Sequence, residues 1–207
     1  MAKLSVELNR YFFEEERLPQ VKLGDILALA GERIFGFLFV VLALPSALPL
    51  PAAGYSTPFG IVMLLLALQL IVGARRPWLP QRIYNSSIKL ENAQKFVKAG
   101  IPWFRRIEAI TKPRLSWICT SLPGRVILGC AIALMAIFMI IPIPGTNTLP
   151  AMVIFVIGFG LVEDDGIISI GGLVLGVVIA VLTTSVIAAF VWGGTSLLDS
   201  LKTWLKG

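Results

Sequence analysis

The chain has no histidine in 207 residues, which removes the commonest general base and the commonest metal ligand together. Its two cysteines, Cys119 and Cys130, lack CxxC spacing, so neither a zinc site nor a redox pair is expected. Charge is scarce too: Asp, Glu, Lys and Arg make up 14 % of the chain, against about a quarter in soluble domains. No glycine-rich phosphate loop follows a strand, and no paired carboxylates sit inside an apolar segment. An enzyme is therefore not expected, and no cofactor or metal is called for. What fills the chain is apolar residues, 57 % of it, in long uncharged runs. That is the composition of an integral membrane protein forming one membrane domain over 1–207. The first apolar run starts after Arg33, behind a segment of both charge signs, which does not read as a signal peptide.

Two stretches share one punctuation. The first runs from Arg33 through IFGFLFVVLALPSALPLPAAGYSTP to IVMLLLALQLIVG, and the second from Arg125 through VILGCAIALMAIFMIIPIPGTNTLP to AMVIFVIGFGLVE. Arg125 follows Arg33 by 92 residues, Pro142 and Pro144 follow Pro49 and Pro51 by 93, and Pro150 follows Pro58 by 92. Each unit is an apolar arm, a Pro-x-Pro tip, a small polar turn and a second apolar arm. Paired, proline-interrupted segments in two halves of a membrane protein point to a site where the breaks meet.

The arms are short. Residues 34–48, 59–73 and 126–141 give about fifteen positions each, or ~22 Å of helix against a hydrocarbon core of ~30 Å. Two readings stand: re-entrant hairpins that dip in and return, or crossings whose tips Pro49, Pro51, Pro142 and Pro144 are loops at the far surface. Since each hairpin returns to its starting side, the count makes the repeats parallel; inversion would need a further crossing.

The fold expected is all-α: an N-terminal amphipathic part (1–32), hairpin one (33–73), a basic interfacial segment (74–124), hairpin two (125–163) and a C-terminal transmembrane helix with an amphipathic tail (164–207). A helix is expected over 3–17, and another from Asp25 into the first arm. Between Ala74 and Arg125 there are eleven Lys or Arg and two acids, with Trp78, Trp103, Phe104 and Trp117 among them. This suits anionic headgroups on the cytoplasmic side, so the bilayer and not nucleic acid is the expected partner. The uncharged run from Ile167 to Trp192 is the clear transmembrane helix. Its stripe of Gly172, Gly176 and Ala180 admits a close helix, either within the chain or from a second copy in a homodimer.

Arg33 and Arg125, one per unit, read either as snorkelling anchors or as a pair of guanidiniums gripping a phosphate or carboxylate. Gln69, in an otherwise apolar arm, needs partners: a neighbouring helix, or substrate at the tips. Asn147, between two threonines, makes a polar tip in the second unit. Arg75 and Arg76 end unit one, and Glu163, Asp164 and Asp165 end unit two. They are two solvated turns or a gating latch between the units.

These motifs together resemble the ExoD family of bacterial exopolysaccharide-synthesis proteins. The resemblance rests on Gly31-Glu32-Arg33, Leu48-Pro49-Leu50-Pro51, Gln69, Arg75-Arg76-Pro77-Trp78, Pro142-Ile143-Pro144 and Glu163-Asp164-Asp165-Gly166, and runs from about Leu4 to Val191. It implies a multi-pass protein of the bacterial inner membrane linked to surface-polysaccharide production. In that setting the expected solute is anionic or a lipid-linked saccharide, whose diphosphate an arginine pair would fit. The alternatives are a non-transporting scaffold subunit of a polysaccharide synthase, or an ion or proton exchanger.

Overall fold

An apolar arm must satisfy its own backbone N–H and C=O groups, and a helix does so within one segment. The computed structural model describes residues 9–14, 20–47, 56–91, 94, 98, 112–141 and 147–206, with the last helix's side chains as far as residue 189. Its elements are β1 (Gln20–Lys22), α1 (Leu23–Ala30), α2 (Ile34–Ala47), α3 (Ser56–Ile71), α4 (Gln81–Tyr84), β2 (Ser87–Lys89), α5 (Trp117–Thr120), α6 (Leu122–Ile140), α7 (Thr148–Glu163) and α8 (Gly166–Lys206). The four tip prolines Pro49, Pro51, Pro142 and Pro144 lie outside the described residues.

Two expectations near the N-terminus need correction. Residues Arg10–Glu14 form a π-helical turn and not part of an α-helix. The helix before the first arm stops at Ala30, where Gly31 takes φ +54° and a 3-10 turn over Gly31–Arg33 intervenes. The fold is also not purely helical. β1 and β2 pair antiparallel, Val21 opposite Ile88, and tie the N-terminal segment to the basic one. The Gln94 side-chain amide, donating to the Phe12 carbonyl at 2.7 Å, adds to that tie.

The arms pack crosswise. α2 lies chiefly against α7, and α3 against α6; α2 and α3 touch far less. Small residues make both seams close. A β-carbon at Gly36 would sit 2.7 Å from the Gly158 oxygen and from the Val162 nitrogen. One at Gly129 would sit 2.7 Å from Ile71 Cγ1 and 3.3 Å from the Ala67 oxygen. Within each pair the start of one helix meets the end of the other, so the pairs are antiparallel.

Helix ends explain what arm-counting missed. α6 is 19 residues long and not sixteen, because Ser121 caps it: its backbone is extended and its hydroxyl accepts from the Gly124 N–H at 3.3 Å. Pro123 fits the first turn, where its missing N–H costs nothing. α6 thereby joins Gly166–Ala189 as a second helix long and apolar enough to cross a membrane. α3 ends at Gly73, whose φ of +81° lets the Ala74 N–H return to the Gln69 carbonyl at 3.0 Å.

α8 is one continuous helix of 41 residues. Gly172 lies on Ile157 and Gly176 on Val153, so the small-residue face is covered by α7 of the same chain. A homodimer through Gly172, Gly176 and Ala180 would have to displace α7, which corrects the dimer reading of that face. The outward face is Val174, Val177, Val178, Val181 and Leu182, with Val177 67 % exposed. Further exposed apolar side chains are Leu65 and Leu68 on α3 and Ile127 and Ile137 on α6.

Candidate functional site

The polar groups collect at the two ends of the bundle. At one end the second arm of each hairpin finishes beside the first arm of the other, and the two arginines sit there. Arg125 Nη2 donates to the Ala74 carbonyl at 2.6 Å, and the guanidinium lies 5.8 Å from the centre of the Phe35 ring. Arg33 Nη2 lies 3.9 Å from Asp164 Oδ2. Each arginine thus reaches the C-terminal end of the opposite hairpin's second arm, where a cation is favoured by the helix dipole. Both guanidiniums have protein partners at these helix ends.

The acids are committed as well. Asp164 takes the left-handed conformation that ends α7, φ 52°. Asp165 is 3 % exposed and holds three backbone N–H groups: Ile167 and Ile168 on Oδ1 at 3.0 and 3.3 Å, and Lys112 on Oδ2 at 3.2 Å. It is the N-cap of α8, and it pins the segment before α5. The structure gives Asp164 to Arg33, while Arg75 and Arg76 are exposed. Gln69 is engaged locally. Its Oε1 accepts from the Trp78 N–H and its Nε2 donates to the Trp78 carbonyl at 3.3 Å, holding the Arg75–Trp78 loop. It stands at the end of α3 away from the tips, which corrects the substrate reading.

A buried node beside this end has no signature in the sequence. Cys119 Sγ lies 3.3 Å from Ser169 Oγ and donates to the Gly160 carbonyl at 3.5 Å, joining α5, α7 and α8. Burial pushes the Cys119 thiol from its usual 9.0 up to about 11; the Ser169 hydrogen bond opposes this, and Asp164 and Asp165 add to it. A raised folded-state pKa means the protonated thiol is favoured by folding. The stabilisation is full below pH 9 and is lost as the pH rises through 9 to 11. Maleimide at pH 7 is therefore expected to spare Cys119 until the protein is denatured. Labelling of Cys119 in the folded protein, at the rate seen after denaturation, would refute the buried node.

At the other end stand Ser46, Ser56, Thr57 and Asn147. Thr57 Oγ1 donates to the Ile140 carbonyl at 3.4 Å, across from α3 to α6. Asn147 occupies the N-cap of α7, yet its side chain makes no capping bond, and its Oδ1 is buried without a partner. Ser46, fully buried in the last turn of α2, is likewise unpartnered at Oγ. The sequence reading passes over Ser46, although it is the lone hydroxyl in the first arm. Among the described residues no group of three or more Cys, Asp or Glu is placed to hold a metal ion.

A family model described as "Exopolysaccharide synthesis, ExoD" matches residues 4–185. This chain belongs to the ExoD family. It is 53 % identical over 206 residues to an uncharacterised protein of Synechocystis, covering 100 % of this chain and 97 % of that one. It is 28 % identical over 155 residues to Protein ExoD of Rhizobium meliloti, covering 73 % of this chain and 64 % of that protein. No solved structure matches it. The match includes both hairpins and most of the apolar span of α8, so both polar ends of the bundle fall inside the ExoD region.

Proposed function

We propose that this ExoD chain is a multi-pass protein of the bacterial inner membrane that moves an anionic or lipid-linked solute in exopolysaccharide production, through a path between its two hairpins. The observation that carries the reading is the pair of buried, unpartnered polar atoms, Ser46 Oγ and Asn147 Oδ1, at the end where both hairpins turn. Buried polar groups are normally satisfied, and an orphan in an apolar bundle wants a partner from outside the chain. The outward valines of α8 support the membrane setting, because an uninterrupted apolar face of that length suits lipid and not water.

α8 also serves as a ruler. With Gly172 on Ile157 and Gly176 on Val153, Ala180 comes level with Leu149, and α7 begins one residue later. The apolar span of α8 runs on to Ala189, about 12 Å further at 1.5 Å per residue. That offset supports re-entrant arms, whose polar end would lie inside the membrane's thickness. The two seams support an internal duplication. Gly36 on Gly158 and Val162 corresponds to Gly129 on Ala67 and Ile71, at offsets of 93 and 91 residues, each within one of the 92 that separates Arg33 from Arg125 and Pro58 from Pro150. That exchange relates parallel repeats by an axis running along the helices.

The test is single-cysteine accessibility in cells, in a Cys130→Ala background, since Cys119 is inert at neutral pH. A cysteine at Arg75 should react with an impermeant maleimide from the cytoplasm. One at Asn147 should resist it from the periplasm and react from the cytoplasm slowly or only with a small permeant reagent. Fast labelling of Asn147→Cys from the periplasm would make the hairpins full crossings and remove the buried path.

A further inference from the structure

The loop that follows α3, residues 72–78, is held by bonds from several directions. Gly73 turns it through the left-handed region at φ +81°. The Ala74 carbonyl accepts from Arg125, in the first turn of α6, at 2.6 Å. The Gln69 side chain engages both the N–H and the carbonyl of Trp78. Leu122, which opens α6, closes over Gly73, where a β-carbon would lie 2.8 Å from its Cδ1. The side chains left exposed are Arg75, Arg76 and Trp78, the last at 76 %. Ordering a loop costs conformational entropy, and a loop ordered in advance spares its partner that cost on binding.

Charge and apolar surface meet at this loop. Neither Arg75 nor Arg76 pairs with an acid among the described residues. Arg75 instead stands near enough to Arg125 to repel it, and the partners of Arg125 are a neutral carbonyl and the Phe35 ring. Guanidiniums gathered without a carboxylate between them favour an anion from outside. An apolar stripe leads along α3 to the loop. Ile61, Leu65, Leu68 and Val72 are exposed at spacings of four, three and four, Val72 at 79 %, and the exposed Leu122 lies beside its end. The stripe is about 16 Å long at 1.5 Å per residue. The corresponding end of the second hairpin carries Glu163, Asp164 and Asp165 in place of arginines, so the combination occurs in one hairpin only.

We propose that loop 72–78 and the outward stripe of α3 form a docking surface for an anionic phospholipid, with its phosphate on Arg75 and Arg76 and its chains along Val72, Leu68 and Leu65. A guanidinium grips phosphate oxygens through two parallel N–H bonds. The Trp78 ring suits the headgroup level, where an apolar body and a polar N–H both find partners. A free phosphate or an acidic peptide would use the arginines and leave the stripe bare. A zwitterionic lipid would cover the stripe but bring a cation of its own beside the arginines. The inference rests on the membrane setting of the proposed function and not on transport.

The experiment is thermal unfolding of the purified full chain in a neutral detergent, titrated with phosphatidylglycerol, with phosphatidylcholine or with inorganic phosphate. Phosphatidylglycerol should raise the Tm at about tenfold lower concentration than phosphatidylcholine does. Arg75→Gln combined with Arg76→Gln should remove that preference and leave the Tm without lipid unchanged, since both side chains are exposed. Lys112→Gln combined with Arg114→Gln takes the same charge from the α8 side of this end, where the Lys112 N–H bonds Asp165 and the Arg114 carbonyl accepts from Gly166. That pair should keep the preference. Equal loss in both double variants would mean that net charge alone draws the lipid, and overturns the site. An equal response of the wild type to the two lipids overturns it too, as does stabilisation by inorganic phosphate alone. The membrane setting fails separately: a chain recovered from cells in soluble form without detergent retires that reading and this site with it. A chain that needs detergent yet ignores phosphatidylglycerol retires the site alone.

Discussion

Gly36→Leu is expected to leave almost no folded protein, while Gly171→Ala is expected to be neutral or mildly stabilising. The three atoms nearest a β-carbon at Gly36 all belong to the α7 backbone, at 2.7, 2.7 and 2.9 Å, and no rotamer change can clear them. Even alanine must push two helices apart, at about 1–3 kcal/mol for overpacking, against a return of at most ~1 kcal/mol in helix propensity. Leucine adds three more carbons to the same gap and opens the α2–α7 seam along its length. Gly129→Leu should do the same to the α3–α6 seam, where Ile71 Cγ1 is 2.7 Å away but soft, so its effect is smaller. Gly171 has nothing within 4 Å, and alanine there gains propensity alone. Yield of monodisperse protein and its Tm in detergent are the measurements. A Gly36→Leu protein with the wild-type Tm would mean that α2 and α7 do not pack at this separation.

Asp165→Ala is expected to cost about 2–4 kcal/mol, the second largest effect, because it unseats a helix cap and a loop contact together. Its two carboxylate oxygens hold three N–H groups, and its own carbonyl accepts from Ser169 at 3.1 Å, next to the Cys119 node. Asp165→Asn should fall between alanine and wild type. Its remaining oxygen can still cap α8, but its amide NH2 would face the Lys112 N–H, donor against donor. Asp164→Asn should cost no more than ~1 kcal/mol, since its pair with Arg33 is loose and part-exposed and asparagine tolerates the left-handed backbone. Denaturation of the three variants side by side ranks them. An Asp165→Ala protein as stable as Asp164→Asn would show that the cap contributes little.

The arms and the long last helix were legible because apolar runs act locally. The start of α6 was not, because it depends on a cap, Ser121 to Gly124, that sits in a run too short to suggest a helix. The partners of Arg33 and Arg125 were not legible either. Nothing local says that each reaches the end of the other hairpin, since that depends on the crosswise pairing of α2 with α7 and α3 with α6. Asn147 stood out as the polar residue of the second tip. Ser46, flanked by Pro45 and Ala47 inside the first arm, gave a signal of the same kind that is easily passed over in an apolar run. Gln69 misled because an amide in an apolar arm suggests depth, whereas its partner is the backbone of the loop immediately after its own helix.

The crosswise pairing has a consequence for how the chain is made. α2 ends at Ala47, and its principal partner begins at Thr148, about a hundred residues further along. A ribosome delivers α2 and α3 long before α7 exists, and the two have little contact with each other to hold them. The face of α2 that carries Gly36 must wait, without its principal partner, until the second hairpin arrives. Assembly is then a late, long-range event, which slows folding and lengthens exposure to misassembly. A nascent chain halted before α6 leaves α2 and α3 without their principal partners.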